Sequence, residues 1–309
     1  MFNSPRPRYF RRMKVYLAEM FPIPLRLASS ALLCISFITF LGRIHEMKIS
    51  IYSRFTFIGT WSIFTLMLIL RLMDELKDRE IDKELFSDRP LPSGKVLESD
   101  IRFSLLGLMI LYLVGNMFLA QTFWMAVFVL GYSLLMFKYF FIPRILRRYL
   151  LLNLMAHNPI IAIMLFYLVS LFSVEHGLNL RNLKWPSTLL LIAMYWTMFF
   201  AWEIARKIRS REEENAYVTY SQIFGPLGAV FIAGGAQTIG FLIGLNFFFE
   251  LSLPKAFLAI LLIGYGMTIW GYILFIIKPN PVTSKLKPFA ERYILSVLGA
   301  HIFGQITLA

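Results

Sequence analysis

Long apolar blocks separated by short polar stretches run along the chain. Several blocks hold about 18 or more apolar residues, enough for a helix to cross the hydrocarbon core of a membrane. The blocks lack the alternation of barrel strands, so their backbone groups would find partners within helices. The pattern predicts about nine spanning helices, over residues 25–43, 55–73, 103–120, 123–142, 150–172, 187–205, 223–249, 254–277 and 291–308.

The composition excludes most classes of soluble protein. Hydrophobic residues make up 58% of the chain, charged residues 16%, and the mean hydropathy is +0.66. A soluble domain of ordinary composition has about 25% charged residues. Because the sequence has no appended soluble segment and no internal repeat, it predicts a single membrane domain over residues 1–309.

The net charge of +13 is distributed in a way that predicts membrane orientation and no nucleic-acid partner. If the amino terminus is cytoplasmic, nine spans place most of the 31 basic residues on that same side, from Arg6 through the segments 71–102, 138–148, 206–211 and 278–292. This is the positive-inside bias of membrane proteins. The excess positive charge would also attract anionic lipid or an anionic substrate.

Most acidic residues lie in two of these polar segments. The first segment begins at Arg71, near the end of the second predicted span, and Asp74, Asp78 and Asp82 recur in it every four residues. On a helix continuing from the span, these carboxylates share one face and repel one another. Oxygen ligands without Cys or His suit Mg²⁺. The stripe therefore predicts a magnesium site, the alternative being a solvated helix end balanced by neighbouring basic residues.

A proline-bounded loop follows, reading R-P-L-P-S-G-K over residues 89–95, with Gly94 at its turn. Together with D-R-E-I-D at residues 78–82, it resembles the first signature of the UbiA superfamily of intramembrane prenyltransferases. That signature runs N-D-x-x-D-x-x-x-D and then R-P-L/I-P-x-G. Asp74 stands where the family has Asn and Glu75 where it has the first Asp, which keeps oxygen ligands at both positions.

The resemblance implies a second acidic motif, D-x-x-x-D, at the end of the sixth helix. The chain has W-E-I-A-R-K-I-R there, so Glu203 keeps the first carboxylate and Lys207 replaces the second. The sequence thus resembles a branch of the superfamily with a divergent second motif. Arg206 and Lys207 have the chemistry to bind a diphosphate, the alternative being that they snorkel at a helix end. Residues 212–214 are predicted to form a solvated loop.

The resemblance also implies a fold and a division of roles. The fold is all-α, with about nine helices around a central cavity in the membrane. The first Mg²⁺ ion would be held by Asp74, Glu75, Asp78 and Asp82, and the second by Glu203. The catalytic set would be Asp78, Asp82 and Glu203. The diphosphate would be bound by Arg71, Lys138, Arg206 and Lys207. For Arg71 and Lys138, simple anchoring at the membrane surface is the alternative.

The implied activity is Mg²⁺-dependent transfer of a prenyl group from a prenyl diphosphate to an aromatic, small or lipid acceptor. The active site would lie toward the cytoplasmic face. Within the same fold, the alternatives are a terpene cyclase and a transferase of lipid-linked sugar phosphate. A transporter of divalent cations or lipids is the alternative from another class. A transporter site usually lies near the bilayer midplane, and the acidic stripe at a predicted helix end favours the enzyme.

Overall fold

The structure is a computed structural model, which describes residues 8–118, 121–214 and 218–306. The described chain is all-α. Its helices are α1 (Tyr9–Met20), α2 (Ile23–His45), α3 (Arg54–Lys77), α4 (Arg79–Leu85), α5 (Glu98–Phe118), α6 (Phe123–Phe137), α7 (Pro143–Arg148), α8 (Leu150–His157), α9 (Pro159–Glu175), α10 (Trp185–Ala205), α11 (Tyr220–Glu250), α12 (Lys255–Ile277) and α13 (Lys287–Ile306).

The predicted all-α membrane fold is confirmed. Within the described residues, seven helical segments are long and apolar enough to cross a membrane: α2, α3, α5, α8 together with α9, α10, α11 and α12. The fourth and ninth predicted spans correspond to α6 and α13, and these two helices do not belong to that set of seven. The count of nine spans and the cytoplasmic amino terminus therefore stay predictions.

Some predicted features lie outside the described residues. Arg6 of the basic amino-terminal segment is one of them. The others are residues 119–120 at the end of the third predicted span, 215–217 in the second acidic segment and 307–308 at the end of the ninth predicted span.

Helix α6 is shorter than the predicted span at 123–142. It ends at Phe137, and Tyr139, Phe140 and Phe141 then adopt positive φ angles of 50°, 50° and 60°. Pro143 disfavours helical backbone in the residue before it. The apolar residues 139–142 therefore lie outside the helix, although hydropathy alone extends it through them.

The chain divides into two compact units, each built from separate stretches. The first unit comprises Met1–Cys34, Tyr52–Pro143 and Ser170–Glu175. In it, α3 packs against α5 and α6. The buried Asn116 of α5 donates a hydrogen bond of 3.2 Å to Ser62 of α3, and such a bond holds neighbouring membrane helices in register. This unit contains the complete first motif.

The second unit comprises Ile35–Ile51, Arg144–Val169 and His176–Ala309. Its core joins α10, α11, α12 and α13. Small residues allow close helix packing there: a Cβ atom built on Gly271 of α12 would lie 2.7 Å from the ring of Phe289 in α13. This unit contains the second motif, at the end of α10.

Candidate active site

The three aspartates of the first motif lie around the end of α3: Asp74 in its last turn, Asp78 directly after it and Asp82 in α4. Asp78 separates α3 from α4, with φ of −98° and ψ of 10°. The prediction of an uninterrupted helix is therefore wrong at Asp78. The break fits the preference of Asp for helix ends. The four-residue spacing nevertheless persists in the backbone, because Asp78 N–H donates to the carbonyl of Asp74 and Asp82 N–H to that of Asp78, both at 2.9 Å.

The carboxylates of the motif differ sharply in burial. Asp74 is exposed and Asp78 is half-buried. Glu75 and Asp82 are the buried ones, with only 1% and 4% of their surface exposed. They lie on either side of Asp78, with Glu75 in α3 and Asp82 in α4. The protected carboxylates are therefore Glu75 and Asp82, and the predicted stripe does not keep its three aspartates in one environment.

Each buried carboxylate is paired with an arginine. Arg71 donates to Glu75 one turn along α3, and Arg89 Nη1 lies 2.7 Å from Asp82 Oδ1. Asp82 and Arg89 also act electrostatically on Glu75. We call Arg71, Glu75, Asp82 and Arg89 the first-motif cluster. Pairing of this kind offsets the cost of removing carboxylates from water.

The loop after α4 places Arg89 over Asp82. The guanidinium of Arg89 lies 4.0 Å from the centre of the Phe86 ring, and its carbonyl accepts from Ser93 Oγ at 2.7 Å. Gly94 has a φ of +76°, a conformation that favours glycine. The predicted turn at Gly94 is confirmed. The loop therefore brings Arg89 back to α4, the helix that precedes the loop.

The donors of the first motif fit a hard cation by their chemistry. Glu75 Oε2 is buried and has no hydrogen-bond partner among the described residues. An acceptor oxygen in that state is costly unless a ligand reaches it. Within residues 8–118, 121–214 and 218–306, no three His, Cys, Asp or Glu side chains group closely enough to hold a metal. A Mg²⁺ ion here would complete its shell with water or phosphate oxygens, as this ion commonly does.

The second motif forms a compact cluster at the end of α10. Arg206 donates to both carboxylate oxygens of Glu203, from Nε at 2.6 Å and from Nη2 at 2.8 Å. Lys207 Nζ lies 3.2 Å from Glu203 Oε1. The Arg206 guanidinium also lies 5.2 Å from the centre of the Trp202 ring. We call Glu203, Arg206 and Lys207 the second-motif cluster, which carries one negative and two positive charges.

This charge balance fits an anion better than a cation. Both oxygens of Glu203 already accept from Arg206, and Lys207 occupies the position where the family motif has its second carboxylate. A metal ion would have to displace two cations to reach a single carboxylate. The residues of this cluster therefore do not fit a metal, and the second Mg²⁺ ion stays a prediction that the geometry does not favour.

The segment after the second-motif cluster is held by its own acidic residues. Glu213 Oε2 accepts from Ser284 Oγ at 2.5 Å and from Ser210 N–H and Oγ at 3.0 and 2.9 Å. Burial acts to raise the pKa of Glu213, but these hydrogen bonds outweigh it and lower the pKa. Glu214 accepts from the hydroxyl of Ser221 at 2.7 Å. The predicted solvated loop is therefore wrong for Glu213 and Glu214, while Glu212 is exposed as predicted.

Lys138 follows the last residue of α6 and is exposed. Its ammonium lies 5.2 Å from the centre of the Phe137 ring. The ammonium of Lys77 lies 3.9 Å from the ring centre of Tyr139, the residue after Lys138. Lys77 is the last residue of α3, so this contact joins the ends of α3 and α6. The role of Lys138 on a diphosphate stays a prediction.

Two residues near the first motif were missed as site residues in the sequence. Arg89 belongs to the recognised loop but was not assigned to the site. Tyr16 lies on α1, a helix that the hydropathy pattern did not predict, and it interacts electrostatically with Arg71, Asp74 and Glu75. The spacing of Tyr9, Met13 and Tyr16, which places all three on one helical face, is the signal that identifies this helix.

The fold matches those of two solved structures. One comes from work on digeranylgeranylglyceryl phosphate synthase in membranes; the match has 19% sequence identity and a TM-score of 0.66 and covers 96% of this chain and 99% of that chain. The other is the apo structure of a UbiA homolog from Aeropyrum pernix K1, with 14% identity, a TM-score of 0.65 and coverage of 90% and 98%.

By sequence, no protein-family model and no curated protein matches this chain. The structural likeness shows that the chain has the fold of a UbiA homolog. The resemblance drawn from the first motif is thus confirmed at the level of the fold.

Proposed function

We propose that this protein transfers a prenyl group from a prenyl diphosphate to a lipid-soluble acceptor within the membrane. The observation that carries the proposal is the first-motif cluster, in which two buried carboxylates face two arginines at the end of a spanning helix. Ionisable side chains at a membrane boundary are costly and usually functional. The fold shared with a UbiA homolog and the R-P-L-P-S-G loop support the same reaction class.

The reaction breaks the bond between the first carbon of the prenyl chain and its diphosphate oxygen. The leaving diphosphate takes the electron pair, and the allylic carbon then accepts an electron pair from the acceptor. The acceptor releases a proton to complete the balance. Charge develops on the diphosphate oxygens as they depart, so groups that stabilise this charge lower the barrier.

Mg²⁺ bound at the first motif would neutralise the departing diphosphate and polarise its oxygens. Glu75 and Asp82 are the residues that would supply protein ligands to it, and water or phosphate oxygens would complete its shell. The metal-binding roles of Asp74 and Asp78 stay predictions. Arg71 and Arg89 balance the charge of the buried carboxylates and retain further N–H groups for phosphate oxygens. These roles assign ion binding and charge balance to adjacent side chains of one unit.

The second-motif cluster would bind a diphosphate through Arg206 and Lys207. Guanidinium and ammonium groups are the usual phosphate-binding groups of proteins. Glu203 holds both cations in fixed positions through the bonds at 2.6, 2.8 and 3.2 Å. We therefore assign Glu203 a positioning role, in place of the metal-binding role that the family motif implies. Lys138 stays a candidate for binding a diphosphate.

The experiment uses the purified full chain in lipid nanodiscs with Mg²⁺. Geranyl, farnesyl and geranylgeranyl diphosphate are each supplied with a panel of aromatic and lipid acceptors, and the products are identified by mass. The proposal expects an acceptor whose mass rises by one prenyl group, together with released diphosphate. A cyclic or linear hydrocarbon formed without an acceptor would replace transfer by cyclisation. Absence of any product with every donor would contradict the proposal.

A matched pair of variants ties the activity to the motif. Asp82→Asn removes the charge of a buried, arginine-paired carboxylate, while Asp88→Asn makes the same change at an exposed position six residues on. Loss of one electrostatic stabiliser typically lowers the rate by about 10²–10³-fold. We expect a rate lowered by this factor in Asp82→Asn and a near-normal rate in Asp88→Asn.

A further inference from the structure

Hydrogen bonds and ion pairs join the amino-terminal helix α1 to the elements that carry the first motif. Arg12 donates two hydrogen bonds of 2.6 Å, from Nε and Nη2, to the carboxylate of Asp100 in α5. Lys95, which follows the R-P-L-P-S-G sequence, lies 3.0 Å from Glu19. Tyr9 shares a hydrogen bond of 2.7 Å with Ser104. The helix is therefore held at both ends against the first unit.

Tyr16 lies between Arg12 and Glu19 on α1, and its side chain is fully buried, with 0% of its surface exposed. Its hydroxyl donates no hydrogen bond to any described residue, and Glu75 Oε2 accepts none from them. Arg71 is paired with Glu75 and is also within reach to donate to the Tyr16 oxygen. The hydroxyl proton of Tyr16 and the Oε2 atom of Glu75 thus both lack a partner beside one arginine.

Buried hydroxyl groups nearly always have a partner, and an exception calls for a water or ligand at that position. A tyrosine hydroxyl keeps its proton at neutral pH, so the phenol of Tyr16 remains a donor. Arg71 has five N–H donors, of which the bond to Glu75 uses one. Two kinds of donor therefore converge at this position, and they match an oxygen that carries negative charge.

We propose that Tyr16 is a diphosphate-binding residue, whose hydroxyl donates to a phosphate oxygen that Arg71 also contacts. The inference rests on the proposed function and adds to it, because it makes α1 part of the site. Without the ligand, a water molecule between Tyr16 and Glu75 would satisfy both groups. In that case the hydroxyl has only a structural role, and the experiment below separates the two roles.

The experiment measures binding of inorganic diphosphate to the full chain in nanodiscs with Mg²⁺, by calorimetry. Tyr16→Phe removes only the hydroxyl. Tyr9→Phe is the matched control, since it removes a hydroxyl on the same helix that already has Ser104 as partner. A hydrogen bond to a charged group is worth roughly tenfold or more in affinity. We expect Tyr16→Phe to weaken binding by roughly that factor and Tyr9→Phe to leave it unchanged.

Thermal unfolding without diphosphate serves as the folding control. Tyr16→Phe should unfold at the wild-type temperature or above it, because it removes an unsatisfied buried group. Equal diphosphate affinity in wild type and Tyr16→Phe would overturn the inference and leave the proposed function intact. Absence of diphosphate binding in the wild-type protein would overturn the proposed function and this inference with it.

Discussion

Glu203 and Arg206 form a bidentate ion pair across three residues at the end of α10, with both carboxylate oxygens engaged at 2.6 and 2.8 Å. The family motif has a second carboxylate one turn after the first, at the position that Lys207 occupies here. Replacing a carboxylate by an ammonium reverses the charge of the site. The carboxylate of Glu203 is therefore engaged by two cations, Arg206 and Lys207.

The first prediction concerns Glu203→Gln, which keeps the shape of the side chain and removes its charge. We expect the KM for the prenyl diphosphate to rise, because Arg206 and Lys207 lose the group that positions them. The Mg²⁺ concentration that gives half-maximal rate should not change. Steady-state rates at varied donor and varied Mg²⁺ separate the two effects. A higher Mg²⁺ requirement would instead identify Glu203 as a metal ligand.

The second prediction concerns Lys207→Ala, which removes the ammonium that replaces the family carboxylate. We expect a higher KM for the donor, lower turnover or both, with little change in metal dependence. Lys285→Ala is the control, because Lys285 is exposed in the same unit. If Lys207 only anchors the helix end, both variants should behave as wild type, since other basic residues still orient the chain.

The third prediction concerns the ion pairs that hold α1 in place. Arg12 and Asp100 form a pair whose side chains are 14% and 5% exposed, whereas those of Lys95 and Glu19 are 46% and 39% exposed. Exposed pairs contribute little because solvent screens them. Arg12→Ala should therefore speed hydrogen exchange of the α1 amides and weaken diphosphate binding, and Lys95→Ala should do so much less. Exchange of the α1 amides at the wild-type rate in Arg12→Ala would show that Arg12 does not hold the helix.

The fourth prediction is the pH dependence of the segment after α10. Hydrogen bonds lower the pKa of Glu213 below its ordinary value of 4.5. A depressed folded-state pKa adds stability above the unfolded value, and this stability is lost as pH falls through the folded value. Glu213→Gln should therefore lower the unfolding temperature at pH 7 and have a smaller effect below about pH 4. An effect that is the same at both pH values would mean that the charge of Glu213 is not involved.

Much of the architecture could be predicted because backbone N–H and C=O groups in lipid must find hydrogen-bond partners within the protein. Apolar blocks of sufficient length must form helices, and each predicted span contains one. The ends were harder to predict: α6 stops at Phe137 although apolar residues continue to Ile142. Hydropathy reports the solvent that a residue prefers, and it does not report the φ angles that end a helix.

The candidate site could be predicted in its residues but not in their arrangement. The four-residue spacing of Asp74, Asp78 and Asp82 predicts one acidic stripe, while the protected carboxylates are Glu75 and Asp82. Which face is buried depends on packing between elements distant in sequence. The return of Arg89 onto Asp82 likewise depends on the fold of the loop through Gly94.

The fifth prediction tests the central claim, Mg²⁺-dependent cleavage of a prenyl diphosphate at the first motif. The measurement is the rate of diphosphate release with donor and acceptor present, in wild type and in Glu75→Gln, with Mg²⁺, with excess chelator and after Mg²⁺ is restored. We predict release in wild type only with Mg²⁺, recovery on restoration, and a rate in Glu75→Gln that is lower by about 10²–10³-fold. Undiminished release in excess chelator, or a wild-type rate in Glu75→Gln, would contradict the account.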